Sequence, residues 1–228
     1  MNLLKDVKLL FLPNRCLHCK TIINENVSFL CLDCSLKLEY AHYTQTDDNP
    51  IKKIFWGRIN LINATTLYIY QKNSPIQSLL KELKYKGLTS FGTYAAKAII
   101  SEIDQSPFFN TIDYVIPIPL HPKKERKRGY NQVELFGTTL ANYFQVPFVK
   151  DALIKTDNNQ SQTKQNKDER YKSVKNSFLA NKKHDFHQKH ILLVDDVLTT
   201  GATLISCCKA LQKEHTIKIS IITIAYAI

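Results

Sequence analysis

The richest chemistry in the chain lies in ILLVDDVLTTGATL, residues 191–204. A short continuous apolar run of the buried parallel-strand type leads into two adjacent carboxylates, Asp195 and Asp196. Behind them, a hydroxyl-rich turn with one glycine opens a helix. Thr199, Thr200, Gly201, Ala202 and Thr203 offer backbone N–H groups and hydroxyls at that helix start, a cradle suited to a phosphate. Gly201 lets the backbone approach closely, and Ala202 keeps bulk away. The carboxylates would repel a phosphate resting on them. They suit instead the cis-diol of a ribose, or a magnesium ion bridging diol and phosphate. The segment therefore predicts a site for a sugar that carries a phosphate at one end. The alternative is a capped strand-to-helix turn whose Asp pair is merely solvated.

A second constellation is CLHC, eleven residues, then CLDC: Cys16, Cys19, Cys31 and Cys34. Two Cys-x-x-Cys knuckles present four thiolates at the spacing of a structural zinc site, because each tight turn aims two sulfurs at one ion. Two disulfides or four free thiols are the alternatives. His18, inside the first knuckle, is expected to be an exposed turn residue, since four Cys already fill the shell. Cys207 and Cys208 fall on a helix interior and are expected to pack; adjacent cysteines rarely bridge. The third feature is a basic run in which Lys123, Lys124, Arg126, Lys127 and Arg128 face the lone Glu125, a local charge of +4. A solvated loop or a nucleic-acid patch are its plainer readings.

The elements that must position these groups follow from periodicity. In a chain of 228 residues, 44% apolar and 22% charged, there is room for one sizeable α/β domain and a small appendage, and disorder and collagen are excluded. Residues 64–70 read as a strand. Ser74-Pro75 is expected to cap a helix whose face is Ile76, Leu79, Leu80 and Leu83, with Gly87 as its stop. Further helices are predicted over 91–103, behind Asn131 (Val133, Phe136, Leu140, Phe144) and over 202–213; further strands over 113–119, 191–194 and 216–226. Alternating strands and helices give a parallel sheet with helices on both faces. Residues 120–128 are expected as a loop, 155–189 as a weakly patterned polar region, and Asp47 to Pro50 as a linker that puts the module boundary near residue 50. This divides the chain into 1–50, an N-terminal helix with the zinc module, and 51–228. The first eleven residues place Leu3, Leu4, Val7, Leu10 and Phe11 on one helix face, expected to pack on the protein; a membrane-surface helix is the alternative.

DDVLTTGAT, residues 195–203, resembles the signature of type I phosphoribosyltransferases for phosphoribosyl pyrophosphate (PRPP). Residues 117–132, PIPLHPKKERKRGYNQ, are similar to a segment of the ComF family of competence-associated proteins, which also carries an N-terminal four-Cys zinc module. Residues 161–178 resemble a further ComF stretch through Gln162, Thr163, Glu169, Arg170 and Phe178, with Ser173 where Asn is expected; LKYKG at 83–87 adds a weaker match. The resemblance implies a type I phosphoribosyltransferase-like fold. It implies that Asp195 and Asp196 bind the ribose hydroxyls of PRPP and Thr199 to Thr203 its 5′-phosphate. The turn from Leu120 to Lys124, including His121 and Lys123, would face the pyrophosphate. Arg126, Lys127, Arg128, Gly129 and Tyr130 would form a mobile loop closing over it, with Gly129 as hinge. Cationic groups at a leaving pyrophosphate stabilise developing charge. Glutamine-dependent amidophosphoribosyltransferases carry a Cys nucleophile at the mature N-terminus; here the chain opens Met1-Asn2 and its early cysteines belong to the metal set, so a complete enzyme of that type is not expected.

Two functions from different classes follow. One is a PRPP- and magnesium-dependent phosphoribosyltransferase of unidentified acceptor, linked to DNA uptake and nucleotide metabolism. The other is a non-catalytic factor that binds single-stranded DNA and uses the fold as a scaffold or PRPP sensor. The net charge of +11, from 31 Lys and Arg against 20 Asp and Glu, fits polyanionic partners in either case. A competence helicase or other uptake protein is the protein partner the resemblance suggests. The most apolar stretch, 219–228, is half a membrane span, so a cytoplasmic protein with reduced cysteines is expected.

Overall fold

The computed structural model describes residues 13–24, 27, 29–156 and 177–227. The helix expected over the first eleven residues, and Gln162, Thr163, Glu169, Arg170 and Ser173, lie outside them. Four parallel strands form the central sheet in the order β1-β6-β5-β2: β1 (Ala64–Tyr70), β2 (Tyr114–Pro117), β5 (His190–Leu198) and β6 (Lys218–Ala227). Residues 39–41 run antiparallel along the outer side of β1, with Ala41 N–H donating to Leu67 O and Ile69 N–H to Glu39 O, so that edge is covered. Two short strands, β3 (Leu153–Lys155) and β4 (Phe178–Ala180), pair antiparallel at the two ends of the polar region.

Alternation along β5 sends Leu192 and Val194 into one core and Ile191 and Leu193 into the other. The first core is covered by α3 (Pro75–Tyr85), α4 (Ser90–Ile103) and α6 (Glu134–Phe144), through Leu79, Leu80, Leu83, Phe91, Ile99, Phe136 and Leu140. The second lies under α7 (Ala202–Glu214), α2 (Pro50–Lys53) and the β3–β4 pair. Cys16, Leu30 and Cys34 belong to the first core, so the knuckles, with the short helix α1 (Leu32–Ser35) carrying Cys34, rest on α3 and α4. Phe29 meets the rings of Phe91 and Tyr94 edge-on.

Several local expectations change. The run predicted as a loop is a helix, α5 (Pro122–Arg128), because Pro122 suits a first helical position and the His121 Nδ1 accepts from the Lys123 N–H at 3.1 Å. Ser74 occupies the N-cap position of α3 without capping it; its hydroxyl donates to Gln71 O instead. The stretch read as a linker contains Asn49, which is buried, caps α2 at Lys52 N–H and donates to Asn63 Oδ1. Strand β5 continues to Leu198, so the Asp pair sits inside it and not at its end. No helix among the described residues is long and apolar enough to cross a membrane.

At the opposite end of β5, His190 is 2% exposed, with its ring nitrogens 2.9 Å from Thr111 Oγ1 and 2.9 Å from Ser220 Oγ. Burial, helped by the charge of Lys218, pushes this imidazole down to about 4. The unfolded chain takes up the proton near pH 6.5. The contribution of His190 to stability is therefore complete above about pH 6.5 and is lost as pH falls toward 4. It amounts to roughly 3 kcal/mol at most, from the size of the shift. His190→Gln should remove that part of the pH dependence: between pH 6.5 and 4, the urea midpoint should fall less steeply in the variant than in the wild type. Equal slopes would contradict the assignment.

Candidate functional site

The geometry is set at the point where β5 leaves regular alternation. Its ladder with β6 runs from His190↔Lys218 to Asp195↔Thr223, skips Asp196 and resumes at Val197↔Ala225. Beyond the skip the phase is inverted, with Val197 facing the first core and Leu198 the second. The Asp196 N–H donates to Asp195 Oδ1 at 2.8 Å. The register is the same on both sides of Asp196, and the two acids keep the strand's alternation near the carboxyl edge of the sheet, Asp196 toward Lys84 of α3 and Asp195 toward Lys155 and Cys207.

After Leu198 the chain turns through Thr199 and Thr200 to Gly201, whose φ of +74° is left-handed and which occupies the N-cap position of α7. An L side chain there is strained, and a Cβ would also come 2.9 Å from Ile54 Cγ2. The first-turn N–H groups of α7 have no side-chain cap. They face a shallow pocket lined by Asp195, Thr199, Thr200, Gly201, Ala202 and Thr203 among others. Asp195 and all five cradle residues predicted from sequence thus share one concavity, with Asp196 next in the chain. It offers amide hydrogens and a helix N-terminus on one side and carboxylates on the other, an arrangement able to hold an anion and a hydroxyl-bearing group together.

The electrostatics are unbalanced. Asp196 is 5% exposed. Among the described residues its Oδ2 is sealed from solvent and has no hydrogen-bond partner, while Lys84 Nζ of α3 lies 3.1 Å away, within ion-pair range but off the line of a hydrogen bond. Burial pushes the Asp195 carboxyl above the usual carboxylate range, and the charge of Asp196 adds to it; the Asp196 N–H, Lys84 and Lys155 pull the other way without cancelling it. On the other side of Lys84, an open cleft of about 470 Å³ is lined by Tyr70, Leu80, Lys81, Tyr85, Val197 and Thr199, among others. It adjoins the cradle through Thr199.

The basic helix is tied to this region indirectly. Tyr130 donates its hydroxyl to Leu83 O and accepts from the Gly87 N–H at 3.1 Å, and the Arg128 guanidinium lies 5.4 Å from the centre of the Tyr85 ring. Arg128 also donates to Gln132 Oε1. Lys123, Lys124, Arg126 and Lys127 are exposed, and Gly129 ends the helix at φ +80°. Sequence reasoning missed Lys84, Tyr85 and the hydroxyl of Tyr130. The signal available was that LKYKG and RGYNQ, two resemblance segments 40 residues apart in the chain, had no evident reason to be paired; the structure shows them in contact.

The four cysteines form a second site. All four Sγ atoms lie within 4.8 Å of one another, and Cys19 and Cys31 are 3.6 Å apart. A tetrahedral zinc–thiolate shell requires sulfurs about 3.8 Å apart, whereas a disulfide needs about 2 Å. The hydroxyl and N–H of Thr21 hold the Cys19 thiol down to about 6; burial, with the other three thiols, pushes Cys34 up to about 12. Four thiols this close cannot all ionise without a cation among them, so the set fits a metal ion. His18 is half-buried and shares a hydrogen bond with Ser78 Oγ at 3.0 Å, which ties the first knuckle to α3; it is not the exposed turn residue expected. Cys207 and Cys208 are buried packing residues, as expected.

Comparison with known proteins agrees with this geometry. Residues 132–228 match the family described as Phosphoribosyl transferase domain, a span that contains the Asp pair, the cradle and the two central strands. Competence protein F of Haemophilus influenzae is 25% identical over 219 residues, covering 89% of this chain and 93% of that protein. Competence protein ComFC of Bacillus subtilis is 24% identical over 87% of this chain and 78% of its own length. DNA utilization protein YhgH of Salmonella typhimurium is 23% identical over 87% of this chain and 84% of its own. With relatives of this kind along most of its length, and a type I phosphoribosyltransferase-like sheet carrying the matched domain, the chain resembles the ComF family of competence-related, phosphoribosyltransferase-like proteins.

Proposed function

We propose that the protein binds PRPP with magnesium and transfers its phosphoribosyl group to an acceptor, in the setting of DNA uptake and nucleotide metabolism. The observation that carries this reading is an uncapped helix start sharing one pocket with Asp195, next in the chain to Asp196 with its sealed Oδ2. A ribose 5-phosphate group complements both halves: its 2′- and 3′-hydroxyls donate to Asp195 and Asp196, and its phosphate accepts from the N–H groups and hydroxyls of Thr199 to Thr203. Pyrophosphate, the most anionic part of PRPP, calls for the cations of α5 and for the turn at His121, with Gly129 as the hinge of any closure. Asp195 and Asp196 would hold a magnesium ion, which would supply further positive charge to the leaving pyrophosphate. The bond from ribose C1 to the pyrophosphate oxygen breaks, and the acceptor lone pair forms the new bond to an oxocarbenium-like carbon. Asp195, with its raised proton affinity, is the better of the pair to carry a proton during this exchange. The names of the relatives, competence and DNA utilization proteins, support the DNA-uptake setting.

Calorimetric titration with PRPP and magnesium tests this reading. Wild type should bind below millimolar concentration. Asp196→Asn should lose roughly 1–3 kcal/mol of binding, the scale of a charge-assisted hydrogen bond. Gly201→Val should abolish binding, because both its φ and its contact with Ile54 require the cradle to move. Absence of binding by wild type would contradict the reading.

The metal site is proposed to hold one structural zinc, with Cys16, Cys19, Cys31 and Cys34 as ligands, in a module that ends near residue 50. Zinc would replace repulsion among the four thiols by four metal–sulfur bonds. Freshly reduced protein should contain one equivalent of zinc, and chelation should loosen residues up to about 40 and lower the melting temperature while the sheet persists. Metal-free protein with an unchanged melting temperature would sink this assignment.

A second reading, single-stranded DNA binding in a cytoplasmic protein that acts beside a helicase or another uptake factor, draws on the exposure of Lys123, Lys124, Arg126 and Lys127 along one short helix. DNA affinity should fall steeply with salt, and reversing Lys123, Lys124, Lys127 and Arg128 to Glu should flatten that slope. An unaltered slope would exclude α5 as the DNA contact.

A further inference from the structure

Lys84 lies between a sealed carboxylate and an open cleft. Toward the strand, its ammonium is 3.1 Å from Asp196 Oδ2, an atom sealed from solvent and without a hydrogen-bond partner among the described residues. Toward the solvent, the same side chain, 26% exposed, lines the cleft shared with Lys81, Tyr85 and Thr199. Its backbone is fixed. Leu79, Leu80 and Leu83 of the same helix are buried, and Tyr130 grips both Leu83 O and Gly87 N–H across the helix end. What can change is the four-carbon stem of the lysine, which swings freely and carries a compact charge.

We propose that Lys84 is a displaceable internal counter-ion of the Asp pair: it covers Asp196 while no ligand is bound, and a ribose diol evicts it into the cleft, where its ammonium meets the anionic end of the ligand. This rests on the assignment of the Asp pair to the ribose hydroxyls and adds a regulation of that site. Two requirements force the exchange. A hydroxyl that is to reach Asp196 Oδ2 must open a surface from which solvent is now excluded, and the charged group at that surface is Lys84. Once two hydroxyls donate to the carboxylates, the pair needs the ammonium less, while the phosphate or pyrophosphate brought in beside Thr199 needs it more. Sugar recognition would then switch on an anion contact that the free protein withholds, so that a bare anion cannot recruit Lys84 without first stripping Asp196 of its partner.

The experiment reads the amine itself. Acetylation by a mild amine-reactive reagent is followed by peptide mass spectrometry, and labelling of Lys84 is normalised to Lys81, an exposed lysine one turn away on the same helix. The probe is ribose 5-phosphate, which carries the diol and the 5′-phosphate but no pyrophosphate to recapture the freed ammonium. Saturating ribose 5-phosphate should raise Lys84 labelling about threefold relative to Lys81, the scale of one partly exposed ion pair lost. Pyrophosphate alone should leave it unchanged. Asp196→Asn, which keeps the shape and removes the charge, should show the raised labelling without ligand, and ribose 5-phosphate should add nothing; the wild-type comparison stands without this variant. Binding of ribose 5-phosphate by calorimetry with Lys84 labelling unchanged or reduced would overturn this inference and leave the site assignment standing. Failure of ribose 5-phosphate to bind at all would bring down both.

Discussion

Two neighbouring carboxylates, largely withdrawn from water, with Lys84 in ion-pair range of one and the charge of Lys155 acting on the other, are the interaction on which the rest of this structure turns. A like-charged buried pair is costly unless protons, cations or donors relieve it. Here the relief is partial: Lys84 reaches Asp196 without a hydrogen bond, and Asp195 responds by holding its proton more tightly than a carboxyl ordinarily does. A site left in this state is primed for a ligand that brings hydroxyl donors or a divalent cation. The apolar strand that delivers it supplies the stability to carry the strain, since Ile191, Leu192, Leu193 and Val194 are fully buried between two cores.

The surrounding elements can be understood as means of holding that pair in place. Strand β5 carries the two acids in unbroken register with β6, and Gly201, in a left-handed conformation, turns the chain into α7 three residues after it ends. Helix α3 brings Lys84 to one side. It is held by three neighbours: the sheet through Leu79 and Leu83, the first cysteine knuckle through His18 and Ser78, and the segment after the basic helix through Tyr130. The four-cysteine module thus has a mechanical connection to the site, because the helix that carries the counter-ion is the one on which the module rests. Phe29 against Phe91 and Tyr94 extends the same support to α4.

Much of this was legible in the sequence, for identifiable reasons. Continuous apolar runs and 3.6-residue stripes gave the strands and most helices, because burial on two faces or one leaves those patterns. The cradle and the cysteine knuckles were legible because each is contiguous, with its chemistry packed into a few residues. What escaped was set by local competition or by distance. His121 and Pro122 together start a helix in a run that charge alone suggested was a loop. Asn49 looked like a linker residue, yet its side chain is spent on Lys52 and Asn63. The β3–β4 pair is only three residues long on each strand, too short to show alternation. Lys84 and Asp196 are 112 residues apart, and nothing periodic links a lysine on one helix to an acid on a strand; only the packing of α3 reveals it.

The central claim, that the Asp pair is under-compensated until a ligand arrives, is open to direct measurement. The carboxyl carbon of Asp195 can be followed by NMR in protein labelled with ¹³C-aspartate, with Asp195→Asn to assign the resonance. The account predicts that Asp195 titrates well above the usual carboxylate range in the free protein, and that saturating ribose 5-phosphate moves its midpoint downward, because donors to a carboxylate favour its charged form. A midpoint in the ordinary carboxylate range, unmoved by ribose 5-phosphate, would contradict it.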